Sequence, residues 1–328
     1  MSTTTQELII QALLEQEMLS GQRLAETAAI SRTAVWKHIQ ALRREGYDIV
    51  SEPGRGYRLQ GVPDRLHPRL IAFGLDTKIL GRKIVFRPEI GSTQDLAREL
   101  AEQGEPEGCL VIAEKQGAGR GRRGRSWSSL PGSVALSVLF RPPLEPWRVS
   151  HFPLLAGVGA ARAVAAATGL RPLLKWPNDV LVNGRKVVGI LAEMSADAEA
   201  ITSILLGLGL NVNAAEEDFP PEIRETATSL RREGKRSFSR VDLVKKLLQE
   251  LEALYEDYLE KGFAPVKELW REMSHTLGRE VQVELMDRTI HGLAVDIDAS
   301  GCLVVRTGDG RDVTVSAGDV SVKCREPS

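Results

Sequence analysis

Cysteine and histidine are scarce in this chain of 328 residues, which contains three cysteines and five histidines. The cysteines (Cys109, Cys302 and Cys324) lie far apart and form no CxxC pair, and the histidines are scattered. Disulfide scaffolds and structural zinc sites need such residues at short, regular spacings. The sequence therefore argues against both kinds of scaffold and predicts a reducing compartment, the cytoplasm.

An excess of charge of one sign is also missing, since 43 Lys and Arg residues stand against 44 Asp and Glu residues. Total charge therefore gives no sign of nucleic-acid binding, and only a local asymmetry could do so. Apolar residues at 42% and charged residues at 27% exclude a disordered or collagen-like chain. The length predicts two or three domains. The N-terminal residues MSTTTQELII lack the basic and apolar regions of a signal peptide.

The chain also lacks a long apolar run without charges. The longest apolar stretch, residues 152–170, is interrupted by Arg162 and by two glycines. A membrane-spanning helix needs about 20 residues with few or no charges. The stretch is rich in alanine and ends at Gly169, which suits the left-handed end of a helix. It predicts a buried helix with a glycine C-cap and no membrane association.

The first 60 residues predict three short helices followed by a β-hairpin. Val35, Ile39 and Leu42 lie at i, i+4 and i+7, which places them on one face of a third helix. Ser20 and Ser31 are the expected N-caps of the second and third helices. A Pro-Gly turn at 53–54 separates two short β-runs. This order is typical of a winged helix-turn-helix, to which we assign residues 1–62.

Charge is divided unevenly within this N-terminal segment. Residues 1–30 contain one base and four acids, whereas residues 31–60 contain six bases and three acids. Phosphate contacts would need the basic half, which contains the predicted recognition helix and wing. The candidate DNA-binding residues are Arg32, Thr33, Trp36, Lys37, His38 and Arg55. A winged helix used only for protein contacts or dimerisation is the alternative.

The rest of the chain predicts two further domains, and the fold class is α+β. After a polar linker at residues 60–68, strands and helices alternate, as in a mixed α/β domain that we assign to residues 63–271. Its clearest elements are the apolar strands 134–140 and 201–210 and the amphipathic helix 242–261. Four β-runs separated by turn signals predict a small SH3-like β-barrel at residues 272–328. Those runs are 280–286, 289–297, 302–307 and 312–323.

The strongest local feature is KQGAGRGRRGRSW, residues 115–127, here called the basic loop. It holds five bases, no acid and four glycines. Its spacing matches a dinucleotide fingerprint and nearly a P-loop, but both need a helix directly afterwards, and the following residues SSLPG are typical of a loop. One guanidinium group can donate two parallel hydrogen bonds to two oxygens of a phosphate. The pattern predicts a loop that orders around an anionic ligand, and a solvated or nucleic-acid-binding loop is the alternative.

The second feature is KWPND, residues 175–179, followed by an apolar strand and an NGRK turn that ends at Lys186. Lys175, Asn178 and Asp179 form a polar cluster around a proline. The turn would bring the Lys186 ammonium group back beside that cluster. Asp179 could hold Mg²⁺ through one carboxylate together with nucleotide phosphates. A structural hairpin with polar ends would have the same sequence pattern.

Two shorter segments add polar groups and glycines. Ser92 and Thr93 precede a helix, so one could be its N-cap, or their hydroxyls and the Gln94 amide could form a polar recognition patch. Residues 207–211, GLGLN, form a glycine-spaced strand that suits close approach by a ligand or a neighbouring strand. The chain has no GxSxG elbow and no HExxH motif, so the commonest hydrolase classes lack support.

These segments together resemble the bacterial biotin–protein ligases that also repress the biotin operon. The resemblance covers nearly the whole chain, from the winged helix to the C-terminal β-domain, and GRGRRGR followed by KWPND is specific to that family. It implies a biotin–[acetyl-CoA-carboxylase] ligase that uses ATP and Mg²⁺ to convert biotin into biotinyl-5'-AMP and pyrophosphate. The biotinyl group then passes to a lysine of biotin carboxyl carrier protein.

The resemblance also assigns residues to ligands. Biotin or adenylate contacts are expected from Ser92, Thr93, Gln94, Gln116, Arg120, Gly121, Arg122 and Lys186. Trp127 is expected to stack near adenine; the expected nucleotide-side residues are Asn178, Asp179 and Asn211, with Asp179 as the metal ligand. Arg120, Arg122 and Lys186 are expected to be catalytic, as cations that neutralise charge. Gln94 stands where the family often has asparagine, and Trp36 where its best-known member has a polar residue.

A regulatory role is implied as well, in which biotinyl-5'-AMP is the corepressor and promotes a homodimer on the operator DNA of biotin synthesis genes. Two rival functions differ from this one in testable ways. A lipoate ligase of the related fold would share the adenylation chemistry but would lack the basic loop and the winged helix. A ligand-sensing transcription factor without catalysis would bind its operator without nucleotide and would release no pyrophosphate.

Overall fold

The computed structural model describes residues 4–196, 201–285 and 287–322. It divides into two compact units, Met1–Gly74 and Leu75–Ser328. The second unit contains both the central α/β domain and the C-terminal β-domain. The domain boundaries at 62/63 and 271/272 stay predictions.

The first unit is a winged helix-turn-helix, as predicted. Its elements are α1 (Thr5–Glu15), α2 (Gly21–Thr27), α3 (Arg32–Arg44), β1 (Asp48–Glu52), β2 (Gly56–Gly61) and α4 (Pro68–Ala72). The first three helices each begin at a hydroxyl N-cap, at Thr4, Ser20 and Ser31, whose side chain accepts a hydrogen bond from the backbone three residues on. The N-caps expected at Ser20 and Ser31 are thereby confirmed.

The core of this unit follows the predicted periodicity. Val35, Ile39 and Leu42 are fully buried on one face of α3. Arg43, one of the six bases counted in residues 31–60, lies near the end of α3, and its side chain donates to the Ile49 carbonyl of the β1–β2 hairpin at 2.7 Å. The predicted linker at 60–68 is shorter than expected, because its first residues end β2 and its last begins α4.

A seven-stranded mixed sheet forms the centre of the second unit. Its strands are β3 (Ile84–Ile90), β4 (Leu110–Gln116), β5 (Val134–Phe140), β6 (Pro172–Lys175), β7 (Asp179–Val182), β8 (Arg185–Ala196) and β9 (Ile201–Leu210). The spatial order is β3-β4-β5-β9-β8-β7-β6; β3 and β4 are parallel and the other neighbours antiparallel. The sheet is accompanied by α5 (Thr93–Glu102), α6 (His151–Thr168), α7 (Leu230–Gly234), α8 (Arg240–Lys261) and α9 (Ala264–Glu272).

Helix α6 is the core helix that the apolar stretch predicts. It ends at Gly169, whose φ of 75° is the left-handed conformation that glycine adopts without strain. The segment Pro146–Thr168 is long and apolar enough to cross a membrane by length and composition alone, but 67% of its most apolar window is buried within the fold. Aromatic rings join this helix to β5 and α8: the Phe140 centroid lies 5.5 Å from that of Phe152 and 4.9 Å from that of Tyr255.

The C-terminal part of the second unit is an antiparallel five-stranded sheet. Its strands are β10 (Glu280–Glu284), β11 (Thr289–Ile297), β12 (Leu303–Thr307), β13 (Asp312–Val315) and β14 (Asp319–Val322), in the order β13-β12-β11-β10-β14. The prediction of one continuous strand at 312–323 was wrong. The strand β13 pairs with β12, and the chain then passes through Gly318 into β14, which pairs with β10. A Cβ at Gly318 would lie 2.8 Å from the Val283 side chain, so this crossing needs glycine. Met286 and Lys323 lie outside the described residues, and closure into an SH3-like barrel stays a prediction.

Candidate active site

Two adjoining cavities lie within the second unit. The first has a volume of about 300 Å³ and the second about 810 Å³. Six residues border both cavities and therefore form a shared wall: Arg125, Ser126, Trp127, Lys175, Asp179 and Lys186. All of the predicted ligand-site residues line the first cavity except Asn211, which lines the second. The fold thus brings together four segments that are far apart in sequence.

The start of α5 contributes hydroxyl groups to the first cavity. Ser92 holds the N-cap position, but its side chain makes no capping hydrogen bond, and its buried Oγ has no hydrogen-bond partner in the described part of the chain. Thr93 is anchored: its backbone N–H and Oγ1 donate to Gln116 Oε1 at 2.7 and 3.0 Å, and Ser137 donates to it at 2.9 Å. Ser92 is therefore available to a ligand in a way that a capping serine would not be.

Gln94 shows how this chain accommodates an amide longer than asparagine. Its Nε2 donates to Glu193 Oε2 and to the Leu205 carbonyl, both at 3.3 Å. A Cβ at Gly207 would lie 3.0 Å from Gln94 Cδ, so the side chain occupies space that only glycine leaves. Gln94 Oε1 is buried and has no hydrogen-bond partner among the described residues. One amide oxygen thus remains for a ligand.

The basic loop follows a defined, hairpin-like path. Trp127 N–H donates to the Gly119 carbonyl at 2.8 Å, and Gly121 N–H to the Arg125 carbonyl at 2.7 Å. A single 3₁₀ turn, Arg122–Gly124, forms its tip. The prediction that no helix follows the loop is confirmed, since 128–133 contains none, and both nucleotide-loop motifs are excluded with it.

The arginines of the loop each have a specific partner. Arg120 forms an ion pair with Asp95 at 2.6 Å, on the α5 side of the cavity. Arg122 donates to Asn178 Oδ1 and to the Gly318 carbonyl, each at 3.4 Å. Arg123 and Arg125 reach Asp319 Oδ2 on β14 at 3.2 and 2.6 Å. The sequence contained no signal for Asp319, because an acid at the start of a short strand is unremarkable until its neighbours are known.

KWPND and the NGRK turn meet as expected. Asn183 and Gly184 take φ values of 50° and 77°, so the β7–β8 turn is tight and returns the chain. Lys186 Nζ lies 2.6 Å from Asp179 Oδ1. Asn178 donates to the Ile190 carbonyl at 2.7 Å, which fixes its amide beside the first cavity. The polar ends of this hairpin therefore line the cavities and also contact each other.

Trp127 occupies the space opened by two glycines. A Cβ at Gly209 would lie 2.2 Å from the indole ring, and one at Gly189 would lie 2.6 Å from it. Lys186 Nζ is 5.5 Å from the ring centroid, and the indole Nε1 is buried without a hydrogen-bond partner in the described residues. The sequence predicted that a ligand or a neighbouring strand would approach the glycine-spaced strand closely; in the structure the side chains that lie against Gly209 and Gly207 are this indole and Gln94.

Two side chains extend the site into the second cavity. Asn211 is buried at 3% exposure, and its Oδ1 has no hydrogen-bond partner within the described ranges. Lys175 borders both cavities, although it was not among the predicted site residues. Burial lowers the pKa of the Lys175 ammonium group, and the Asp179 carboxylate opposes that shift. Its place as the first residue of KWPND was the signal that could have identified it.

The site contains one predicted metal ligand, Asp179. No group of three or more His, Cys, Asp or Glu residues that could hold a metal ion occurs within residues 4–196, 201–285 and 287–322. Asp179 supplies a single carboxylate, at the wall that the two cavities share. Mg²⁺ is commonly bound by one or two carboxylates together with substrate phosphates. The donor set fits Mg²⁺ bound to a nucleotide and does not form an all-protein cage.

The candidate DNA-binding residues lie on the surface of the first unit. Arg32, Thr33 and Lys37 are exposed on α3, His38 is partly exposed, and Trp36 is 55% exposed. Arg55 lies at the hairpin turn and pairs with Glu52 at 2.7 Å. The basic face is therefore present, and an exposed tryptophan lies within it.

Three families of known proteins match successive segments. A helix-turn-helix (HTH) domain matches residues 5–58, the biotin/lipoate A/B protein ligase family matches residues 87–211, and the biotin protein ligase C-terminal domain matches residues 276–323. The solved biotin protein ligase from Aquifex aeolicus in complex with biotin and ATP has a TM-score of 0.64 and 29% identity. That alignment covers 74% of this chain and 99% of the Aquifex chain.

Whole-length relatives give the same result. The bifunctional ligase/repressor BirA of Bacillus subtilis is 39% identical over 295 residues, which cover 90% of this chain and 91% of that protein. The bifunctional ligase/repressor BirA of Escherichia coli is 32% identical over 322 residues, which cover 97% of each chain. The chain therefore belongs to the family of bifunctional biotin protein ligases and repressors.

Proposed function

We propose that this chain activates biotin with ATP as biotinyl-5'-AMP and transfers the biotinyl group to a lysine of biotin carboxyl carrier protein. We also propose that it represses biotin synthesis genes with biotinyl-5'-AMP as corepressor. The observation that carries the proposal is the convergence of the predicted ligand residues on two cavities with a shared wall. Similarity to a ligase solved with biotin and ATP supports the same ligands.

The first half-reaction joins two anions. A carboxylate oxygen of biotin forms a bond to the α-phosphorus of ATP, the bond from that phosphorus to the β-bridging oxygen breaks, and pyrophosphate leaves with the electron pair. Biotin belongs in the first cavity, with Ser92, Thr93 and Gln116 around its polar groups. The nucleoside belongs in the second cavity, beside Trp127 and Asn211. The reacting atoms then meet at the shared wall.

Positive charge at that wall is the main catalytic requirement, because two negative groups must approach each other. Lys186 borders both cavities and lies beside the Trp127 ring. Arg120 and Arg122 approach the first cavity from the basic loop. We assign Lys186 to the oxygens of the carboxylate and the α-phosphate, and the two arginines to the adenylate. Asp179 would hold Mg²⁺, which supplies further neutralisation of the phosphates when it is bound.

The second half-reaction needs protection of the mixed anhydride until the carrier arrives. The lysine amine of the carrier forms a bond to the biotinyl carbonyl carbon, the bond from that carbon to the phosphate oxygen breaks, and AMP leaves as the amine loses a proton. The basic loop packs against the first cavity and excludes water from the anhydride. Arg122 contributes by holding the loop to Asn178 and Gly318.

Repression would use the winged helix. Its exposed basic side chains would contact operator phosphates, with Arg32, Lys37 and Arg55 as positioning cations and Thr33, Trp36 and His38 nearer the bases. A homodimer that forms when the adenylate is bound would place two such units on one operator. A reducing cytoplasm is the compartment in which this ligase, its carrier protein and the operator would meet.

The experiment that tests the ligase function is biotin-dependent exchange of pyrophosphate into ATP by the full-length protein. Exchange that requires biotin and does not proceed with lipoate supports the proposal. Exchange that proceeds equally with lipoate favours the lipoate ligase alternative. Operator binding that is unchanged by biotin plus ATP, without any exchange, would favour a sensor without catalysis.

A further inference from the structure

The side-chain amide of Gln94 is held in one orientation by two neighbouring strands. Its Nε2 donates to Glu193 Oε2 on β8 and to the Leu205 carbonyl on β9, both at 3.3 Å. Glu193 and Leu205 lie opposite each other in the β8–β9 register, so the sheet places the carboxylate beside the carbonyl. A carboxylate and a carbonyl both accept hydrogen bonds, and together they therefore select the nitrogen end of the amide.

The oxygen of the same amide is left at the first cavity. A Cβ at Gly207 would lie 3.1 Å from Gln94 Oε1, and both residues line this cavity. Gln94 is 5% exposed, and its Oε1 has no hydrogen-bond partner in the part of the chain that the structure describes. Because nearly all buried polar atoms in proteins have a partner, this oxygen calls for a ligand that donates a hydrogen bond.

Glu193 does not itself border the ligand site. It is not among the residues that line the two cavities, and its side chain is 31% exposed. The sequence analysis assigned it no role. Its carboxylate can therefore influence a ligand in the first cavity through the Gln94 amide, and not by direct contact.

An arginine of α5 holds the Glu193 carboxylate in place. Arg98 donates to Glu193 Oε2 at 2.7 Å and to Asp95 Oδ1 at 3.0 Å. Asp95 precedes Arg98 by about one helical turn, so the guanidinium group is fixed on its own helix while it reaches β8. Arg120 of the basic loop pairs with the same Asp95 oxygen at 2.6 Å and lies 3.7 Å from Glu193 Oε2. Two carboxylates and two guanidinium groups thus form one network beside the amide.

We propose that Glu193 is a positioning residue for biotin recognition, because it holds the Gln94 amide with its oxygen toward the ligand. The proposal rests on the proposed function, which places biotin in the first cavity. The ureido ring of biotin has an N–H donor on each side of its carbonyl, and such a donor satisfies an unpartnered amide oxygen. Gln116 has the opposite orientation, since its Oε1 accepts hydrogen bonds from Thr93. The two amides therefore differ in the end that they leave for a ligand.

Glu193→Gln removes this constraint while it keeps the size of the side chain. The introduced amide can donate as well as accept, so the Gln94 amide can turn over and bond through its oxygen to position 193. The ligand N–H would then face the Gln94 NH2 group, and two donors form no hydrogen bond. Biotin binding should weaken, whereas the nucleotide side of the site keeps its contacts.

The test is a double-mutant cycle in the full-length protein, with Glu193→Gln, Gln94→Ala and the double variant. Glu250→Gln is the matched control, because Glu250 pairs with Arg162 at 3.0 Å, its side chain is 25% exposed, and neither residue lines a cavity. The measurements are kcat and the KM values for biotin and ATP in biotin-dependent pyrophosphate exchange. Calorimetry with biotin alone gives its Kd, and thermal unfolding gives the stability of each variant.

We expect Glu193→Gln to raise KM and Kd for biotin about 5- to 50-fold, the effect of a lost hydrogen bond that leaves a buried donor unpaired. The kcat and the KM for ATP should stay within about twofold of wild type. Gln94→Ala should weaken biotin binding as well, and Glu193→Gln should add little to it, because no amide then remains to be oriented. Glu250→Gln should match the wild type in all of these quantities.

A loss that Glu193→Gln adds in full to Gln94→Ala would overturn the assignment, because Glu193 would then act through Arg120 or through the fold. Equal losses in biotin binding, ATP use and thermal stability would overturn it too. Should Glu193→Gln fail to fold, Arg98→Gln removes the cation that holds Glu193 and carries the same cycle. We expect that variant to raise KM for biotin about threefold.

Failure of this inference and failure of the proposed function give different results. Wild-type exchange that depends on biotin, together with an unchanged KM for biotin in Glu193→Gln, would refute the positioning role and keep the ligase function. A folded wild-type protein that neither binds biotin nor supports exchange would refute both.

Discussion

The sharpest consequence of the site geometry concerns Lys186→Gln. The Lys186 ammonium group borders both cavities, 2.6 Å from Asp179 and 5.5 Å from the centre of the Trp127 ring. Glutamine keeps a polar side chain of similar reach but removes the charge. The variant therefore tests the charge at the shared wall rather than the space that lysine fills.

The magnitude follows from what the ammonium group contacts. One charge-assisted hydrogen bond contributes about 1.5–3 kcal/mol, which corresponds to a fall of roughly 10- to 100-fold in the adenylation rate. The Lys186 and Asp179 side chains are 30% and 20% exposed, so solvent screens their pair, and we expect its loss to cost stability no more than about 1 kcal/mol. The adenylation rate should thus fall clearly, while the free energy of unfolding should change little.

The assay is biotin-dependent pyrophosphate exchange, with thermal unfolding measured on the same preparations. Lys261→Gln is the matched control, because Lys261 pairs with Asp257 at 2.7 Å, both side chains are about half exposed, and neither residue lines a cavity. It should retain wild-type exchange. An exchange rate for Lys186→Gln within about twofold of wild type would refute the assigned role, since so small a change leaves no room for a lost charge-assisted contact.

Three further predictions test the indole, the loop and the winged helix. Gly209→Ala places a Cβ 2.2 Å from the Trp127 ring. We expect the free energy of unfolding, measured by thermal denaturation, to fall by about 1–3 kcal/mol, and ATP binding, measured by titration, to weaken. Gly308→Ala, where the added Cβ would have no non-neighbouring atom within 4 Å, should change neither. Arg122→Gly should still form biotinyl-5'-AMP but release it at least about tenfold faster, because the loop loses contacts that offset the entropy of ordering its glycines; stopped-flow dissociation and labelling of bystander lysines measure this, and an unchanged off-rate contradicts it. Lys37→Ala should weaken operator binding and lower the slope of log affinity against log salt by about one unit, with exchange activity as the internal control; an unchanged slope would remove Lys37 from the phosphate contacts.

Patterns of neighbouring residues predicted the helices and strands that such patterns specify. Val35, Ile39 and Leu42 repeat at helical spacing, and the structure buries all three on α3. The largely apolar strand 134–140 is β5, which is buried along its whole length, and the alanine-rich stretch is α6. Motifs of short range, such as KWPND with its returning lysine, also predicted a side-chain contact, because a tight turn fixes that distance.

Contacts between distant segments could not be predicted in the same way. Asp319 became part of the site only because β14 pairs with β10 and brings its carboxylate to the basic loop. Glu193 reaches the Gln94 amide because β8 pairs with β9 and places it opposite Leu205. Arg43 entered the count of bases in residues 31–60, whereas its guanidinium group donates a hydrogen bond to a backbone carbonyl of the β1–β2 hairpin. In each case the deciding information was tertiary pairing, which one sequence does not carry.

The central claim is that one site both makes and uses biotinyl-5'-AMP. It is tested most directly by incubating the full-length protein with biotin, ATP and Mg²⁺, removing free ligands, and identifying the bound small molecule by mass spectrometry before and after adding biotin carboxyl carrier protein. The account predicts that biotinyl-5'-AMP remains with the protein and disappears as a single lysine of the carrier gains one biotinyl group. Recovery of unreacted biotin and ATP from a folded protein that binds both would contradict it.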